Sequence, residues 1–429
     1  MGPSPTPAIN RRTLPRLRPR TRHSSRLTGG LPTRKQFRDN HTRHRTQCTH
    51  RKPRMRELNL MSAGKLKWLD RPEPTLQRDD DAIVRPFVVS RCDADTIPTT
   101  ALLRAVRLAM RAGLLDPILR DSFGPVPFSA PCAIGHEAIA EVVEVGPAVT
   151  NVAVGDKVVV PWSISCGRCD NCRRGLTTKC TISRRESGHE RPVACYGNGP
   201  IAGAYGGMVS DYFRVPYANH MLTRLPAGLD PLRVAAASDN LTDGWRCVAP
   251  YLRDHPGASV LVVGGLARAV GLYAAGVAAA YGAKVDYINS NTRELEIAES
   301  LGATPRQRPH LLRFSRPART YDLVVDASNL PTGITHAIRS TAPGGVCVVP
   351  SYHLAAYTGV PLMHMSLTEI TLHVGPSHPG ATMTDMLAWV RDNDFPAEKV
   401  TTEVADFDDA PRAYAAPMTK SVMYRDPLS

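Results

Sequence analysis

The first 54 residues are almost without acid: Asp39 alone stands against fifteen lysines and arginines. They are poor in apolar residues too, hold scattered prolines, and show neither a helical nor a strand period. Such a stretch buries too little surface to offset the entropy of ordering it, so it reads as a disordered basic tail. It lacks the apolar core of a secretory signal, and its prolines spoil the amphipathic helix of a transit peptide. The expectation is that the folded chain starts near Met55 and that residues 1–54 are an over-extended reading frame. The formal charge of +14 sits in this stretch, and the rest of the chain is balanced. The folded part therefore offers no case for specific nucleic-acid binding, and the tail alone offers only a non-specific one.

Nor is there an apolar run fit to cross a bilayer. Residues 261–282 come nearest, but they carry Arg268 and are mostly Ala and Gly, as in a buried strand and helix. A membrane partner is not expected, and the cytoplasm is the expected location. The ten cysteines are not spread as staples, which argues against a disulfide frame.

What remains is ordinary globular composition, 42% hydrophobic and 21% charged over 429 residues, enough for two cores. From residue 55 to 91 short apolar runs alternate with turns and read as antiparallel strands, the last delivering Cys92 to a strand end. Residues 99–119 carry apolar positions near helical spacing, read as one or two helices or a lid over a site. Further strands are expected over 138–145, 152–161 and 201–217. Then the pattern changes. Apolar runs at 260–263, 284–288, 321–326 and 345–349 alternate with helical stretches, which implies a parallel sheet covered on both faces. A helix over 382–391 and the segment 420–424 are expected to return to the first domain. The fold expected is α/β, with a mostly-β domain (55–232 and 376–429) interrupted by a doubly wound domain (233–375).

Cys166, Cys169, Cys172 and Cys180 form the strongest local signal. Three cysteines at two-residue gaps among Gly, Asn and Arg make a loop whose thiolates converge, with the fourth brought back by a short connection. Four thiolates satisfy a tetrahedral Zn²⁺ and leave no position for substrate, so this site is expected to hold structure. An iron–sulfur cluster fits less well, because seven residues precede the last Cys and Thr181 follows it.

The turn Gly264, Gly265 to Gly271 follows a strand and opens a helix, where backbone amides and the helix dipole can hold a pyrophosphate. It is wider than the strict GxGxxG, and a tight turn without ligand is its plain alternative. Where an acid at the end of the second strand would bond ribose hydroxyls stands Asn289, with Arg293 near, so the choice between NAD and NADP is open with NAD preferred. A reactive metal site needs fewer than four protein ligands. Cys92, His136 beside Glu137, and Asp239 are the candidates. Each alone also reads as something plainer: a core cysteine, a core histidine, a cap for a helix starting near Asn240.

Taken in order, these residues resemble the zinc-dependent medium-chain alcohol dehydrogenases. The markers are Cys92, Gly135-His136-Glu137, Val154-Gly155-Asp156, the cysteine quartet, Asp239 before Asp243-Gly244, and the Gly264-to-Gly271 turn, together covering the chain from Met55 to about Arg425. The resemblance implies a GroES-like catalytic domain interrupted by a Rossmann domain. It implies Cys92, His136 and Asp239 as ligands of a catalytic zinc, with Glu137 behind them or exchanging onto the metal. Hydride would move between an alcohol or aldehyde and a nicotinamide cofactor, usually in a homo-oligomer. Two departures stand out. Ala94 replaces the usual hydroxyl of the proton relay, leaving Thr96 or Asp93 to substitute, and Ala140 stands where Gly is usual. The rival expectation is a non-catalytic, zinc-stabilised nucleotide-binding protein.

Overall fold

The computed structural model describes residues 54–187, 192–197, 205–310, 312, 314, 316–350 and 352–429. The basic stretch of residues 1–53, with its expected disorder, and Cys48 within it lie outside the described residues, as do residues 201–204 of the strand expected over 201–217.

Sixteen strands are described: β1 (Arg54–Ser62), β2 (Lys65–Pro72), β3 (Ala82–Ser90), β4 (Cys132–Ala133), β5 (Glu137–Val145), β6 (Lys157–Val160), β7 (Phe213–Val215), β8 (Thr223–Arg224), β9 (Ser259–Val263), β10 (Lys284–Asn289), β11 (Thr304–Gln307), β12 (Tyr321–Asp326), β13 (Thr341–Val349), β14 (Thr371–Val374), β15 (Glu403–Asp406) and β16 (Ser421–Tyr424). They form a three-stranded sheet, β2-β1-β4, a seven-stranded sheet running β15-β16-β3-β5-β6-β8 with β7 against β3, and a six-stranded sheet, β11-β10-β9-β12-β13-β14.

In the seven-stranded sheet β3 and β5 are antiparallel, and Ser90 lies opposite Glu137. Pro86 cannot donate to the ladder, and it sits at a register shift where the pairing is already broken. The pairing places the end of β3, leading into Cys92, beside the start of β5, preceded by His136. β16 joins the sheet by pairing antiparallel with β3, so the last residues of the chain return to the first ones.

The six-stranded sheet is parallel throughout. Numbered within itself its order is 3-2-1-4-5-6, the Rossmann order, with the reversal between β9 and β12. Residues 260–263 of β9 and 323–325 of β12 are apolar and buried on both faces because helices cover both sides of the sheet. One of those helices, Arg268–Ala280, is Ala- and Gly-rich so that its neighbours can approach. Helix Asn240–Asp254 crosses it at Gly244, where a Cβ would meet Cβ of Tyr273 at 2.6 Å and the Ala274 nitrogen at 2.9 Å. That crossing fixes the start of helix Asn240–Asp254, and Asp239 with it.

Residues 99–119, expected as one or two helices or a lid, fall in short helices, Thr96–Thr99, Leu102–Arg111 and Ile118–Phe123. Cys132, Cys195, Cys247 and Cys347 are buried packing residues. No helix among the described residues is long and apolar enough to cross a membrane.

Candidate active site

Three elements distant in sequence meet at one point. Cys92 follows β3 and His136 precedes β5, so the strand pairing alone makes them neighbours. Asp239 is docked by the residue before it: Oγ of Ser238 accepts from the Ala138 amide at 3.0 Å and donates to the Ala138 carbonyl at 3.2 Å. Sγ of Cys92 lies 3.0 Å from Oδ2 of Asp239, and Nε2 of His136 lies 3.5 Å from the same oxygen. Each of the three offers a ligand atom within 4.8 Å of the others. The plainer reading of Asp239 as a side-chain cap fails, because no backbone amide of helix Asn240–Asp254 donates to its carboxylate.

The surroundings hold these donors in place. Asn240 donates from Nδ2 to Cys92 Sγ at 3.3 Å and to Asp239 Oδ2 at 3.2 Å. Asp95 accepts from the Cys92 amide at 3.1 Å and from the Tyr414 hydroxyl, and faces Nδ1 of His136 across 3.8 Å. That Nδ1 is buried without a hydrogen-bond partner. A carboxylate that accepts from one ring nitrogen fixes the tautomer for a metal on the other; Asp95 stands on that side of the ring at ion-pair, not hydrogen-bond, distance. Burial, then the charges of Asp239, Glu137 and Asp95, push the Cys92 thiol well above its ordinary value. Burial works to lower His136, but Asp95 and Asp239 hold it up, at about 9. A divalent cation at the centre would relieve both, and one thiolate, one imidazole and one carboxylate leave a fourth position open. The donor set therefore fits zinc. Its most open member is Asp239, with a side chain 13% exposed against 4% for His136.

Glu137, expected behind the ligands, is fully buried and paired with Lys420, which is buried as completely. Nζ of Lys420 also donates to Oδ1 of Asn240 at 2.8 Å and to the Arg91 carbonyl at 3.0 Å. Glu137 accepts in addition from Oγ of Ser90 and from the Asn240 amide, the latter at 3.0 Å. Burial nevertheless raises its carboxyl, against the pull of Lys420. Thr96, expected as a substitute proton relay, is not brought into this set; its hydroxyl accepts from Arg91 at 2.8 Å.

The quartet converges as well, with Cys166, Cys169, Cys172 and Cys180 each offering a sulfur within 4.8 Å of the others. Loop amides point at these sulfurs: Arg168 and Cys169 donate to Cys166, and Cys166 and Ser183 donate to Cys180, all at 3.4 Å. Burial works against ionisation of Cys169, but the amides of Cys172 and Thr181 outweigh it and hold that thiol down at about 6. Burial pushes the Cys166 and Cys172 thiols the other way, above their ordinary value. Four convergent sulfurs are the donor set that a closed zinc site requires.

Comparison with known proteins follows the same outline. Residues 78–227 match the alcohol dehydrogenase GroES-like domain. A probable zinc-binding alcohol dehydrogenase of Mycobacterium tuberculosis is 27% identical over 373 residues, 86% of each chain. A medium chain reductase/dehydrogenase of Acremonium sp is 31% identical over 242 residues, 55% of this chain and 70% of that one. This chain belongs to the zinc-dependent medium-chain dehydrogenase/reductase family. Among solved structures, the alcohol dehydrogenase TADH from Thermus sp. ATN1 superposes with a TM-score of 0.71 at 25% identity, over 86% of this chain and 100% of that one.

The nicotinamide cofactor of such a dehydrogenase would lie at the reversal of the six-stranded sheet, where glycines let the turn pack closely against its neighbours. Gly265 passes so close to Ser328 that a Cβ would sit 2.7 Å from its Cα, and a Cβ on Gly271 would meet that of Ala327 at 3.0 Å. A Cβ on Gly264 would meet the Tyr287 hydroxyl at 2.6 Å. Asn289 departs from expectation. Its Nδ2 donates to the Tyr287 hydroxyl at 3.0 Å and to Glu294 at 2.6 Å, while its Oδ1 accepts from the amides of Ser290 at 2.7 Å and Asn291 at 3.2 Å. All four bonds of the amide group are spent inside the turn, and the side chain is 1% exposed. Asn289 shapes the loop and has nothing left for a ribose. The first helix after the turn shows a second departure: its Ala269 and Val270 amides donate to Asp93.

Sequence reasoning missed Lys420, Asn240 and Asp95 as parts of this site. Asn240 and Asp95 each stand next to or near a residue already singled out. Lys420, just before β16, had no signal beyond its place at the head of the segment expected to return to the first domain.

Proposed function

We propose that this chain is a zinc-dependent oxidoreductase that moves a hydride between an alcohol and the corresponding aldehyde or ketone, with NAD or NADP as the other partner. The reading is carried by one observation: Cys92, His136 and Asp239, from three separate parts of the chain, bring one ligand atom each to a common point. Zinc bound there would supply Lewis acidity, lowering the pKa of an alcohol or polarising a carbonyl. The chain's own residues orient the donors. Asn240 ties Cys92 to Asp239, the Asp95 carboxylate faces Nδ1 of the His136 ring, and Lys420 neutralises Glu137 so that the site does not face an unbalanced carboxylate. Ser377, in the loop after β14, donates to Oδ1 of Asp239 at 3.4 Å and accepts from Nε1 of Trp162 at 3.1 Å. The loop that leaves the six-stranded sheet thus touches one of the three donors, Asp239. The Cys166 quartet would hold a second, purely structural zinc.

The test is a panel of alcohols, aldehydes and ketones with NAD(H) and NADP(H), followed by the absorbance of reduced cofactor. At least one pair is expected to turn over. Asp239→Ala is expected to lose more activity than the roughly 10–100-fold that removal of a metal's outer partner costs, with an unchanged circular dichroism spectrum. Turnover that survives Asp239→Ala contradicts the proposal.

A further inference from the structure

Helix Arg268–Ala280 begins at the reversal of the six-stranded sheet, where ligands of such sheets bind. Its N-cap residue is Ala267, whose side chain supplies no acceptor. A helix start without a capping oxygen carries free amides and partial positive charge, which a phosphate can use. Here that end is already occupied. Oδ2 of Asp93 accepts from the Ala269 amide at 2.9 Å and from the Val270 amide at 3.4 Å, across 176 and 177 residues of sequence. The preceding turn is equally committed: the amides of Gly264, Leu266 and Ala267 donate to the carbonyls of Ile288, Ser328 and Ala327 at 2.9, 3.2 and 3.1 Å. The carboxylate is therefore the distant cap that the local sequence lacks, and it stands where the pyrophosphate of a dinucleotide would bind.

We infer that Asp93 is an internal competitor for the phosphate-binding end of this helix, which a dinucleotide must displace in order to bind. The inference rests on the cofactor reading proposed above. Two anions cannot share these amides, and like charges brought together there oppose one another. Asp93 opens the short helix Asp93–Asp95, whose N-cap is Cys92, so its displacement moves the segment next to a metal donor. Phosphate binding and the geometry around Cys92 are in this way linked through a single turn of chain.

Isothermal titration calorimetry of the full chain with ADP-ribose and with NADH tests this, comparing the wild type with Asp93→Asn and Asp93→Gly. Asn keeps an acceptor oxygen without the charge, and so guards against simple loss of the cap. ADP-ribose carries the pyrophosphate without the nicotinamide, so its binding reads this end alone. Both variants are expected to bind ADP-ribose at least about tenfold more tightly than the wild type. Equal or weaker binding by the variants overturns the inference and leaves the cofactor reading standing. Failure of all three proteins to bind either probe overturns both.

Discussion

Lys420→Met is expected to lower the unfolding free energy by about 3–5 kcal/mol, as removal of one partner from a buried ion pair does. Its ammonium and the Glu137 carboxylate are both fully buried, and the three acceptors of Nζ, on Glu137, Asn240 and Arg91, lie on three different segments. Methionine fills the volume but leaves Glu137 with an uncompensated charge in a dry interior. The carboxyl, already raised by burial, would then take up a proton or draw in water. Urea unfolding should show the loss as a lower midpoint. Glu137→Gln added to Lys420→Met should recover part of it, since an amide carries no charge to strand. A single variant within about 1 kcal/mol of the wild type, near the value of an exposed pair, would show that the pair does not hold this region together.

Cys180→Ser is the second large effect. Cys180 is fully buried, its sulfur accepts from two amides, and it caps helix Thr181–Glu186 by accepting from Ser183. The segment that it closes is short helices and turns, so its order depends on convergence of the four sulfurs. Structural zinc supplies roughly 10–16 kcal/mol of apparent binding free energy in small peptides, and that energy is folding energy. Loss of one thiolate is therefore expected to release this metal and to lower the Tm by roughly 10 °C or more. Differential scanning calorimetry with metal analysis reads both quantities. An unchanged Tm together with unchanged metal content would mean that the quartet is not a zinc site.

Local signals were legible and distant ones were not. The quartet shows in the sequence because its four ligands lie within fifteen residues and the turn residues between them leave few other uses. β9, β10 and β12 show because central parallel strands are apolar on both faces. β11 and β14 did not, being the two edges of that sheet; β11 reads Thr-Pro-Arg-Gln and is mostly exposed, with nothing in it to bury. Cys92, His136 and Asp239 were each ambiguous alone, and only the pairing of β3 with β5 and the docking of Ser238 bring them together. Lys420 lies 283 residues from Glu137, and no spacing rule connects them. Asn289 sits where an acid would contact a ribose, yet its amide was claimed by Tyr287 and Glu294, a tertiary choice invisible in the strand pattern. The same holds for Asp93: its sequence position beside Cys92 suggested a proton relay, and folding carried it to a helix start instead.

The central claim is that a second metal, open to small molecules, is held by Cys92, His136 and Asp239. Metal analysis of the purified protein by inductively coupled plasma mass spectrometry tests it most directly. Two zinc ions per chain are expected in the wild type and one in Cys92→Ala, with the zinc that remains lost only when Cys180 is also replaced. The same zinc content in the wild type and Cys92→Ala would contradict it.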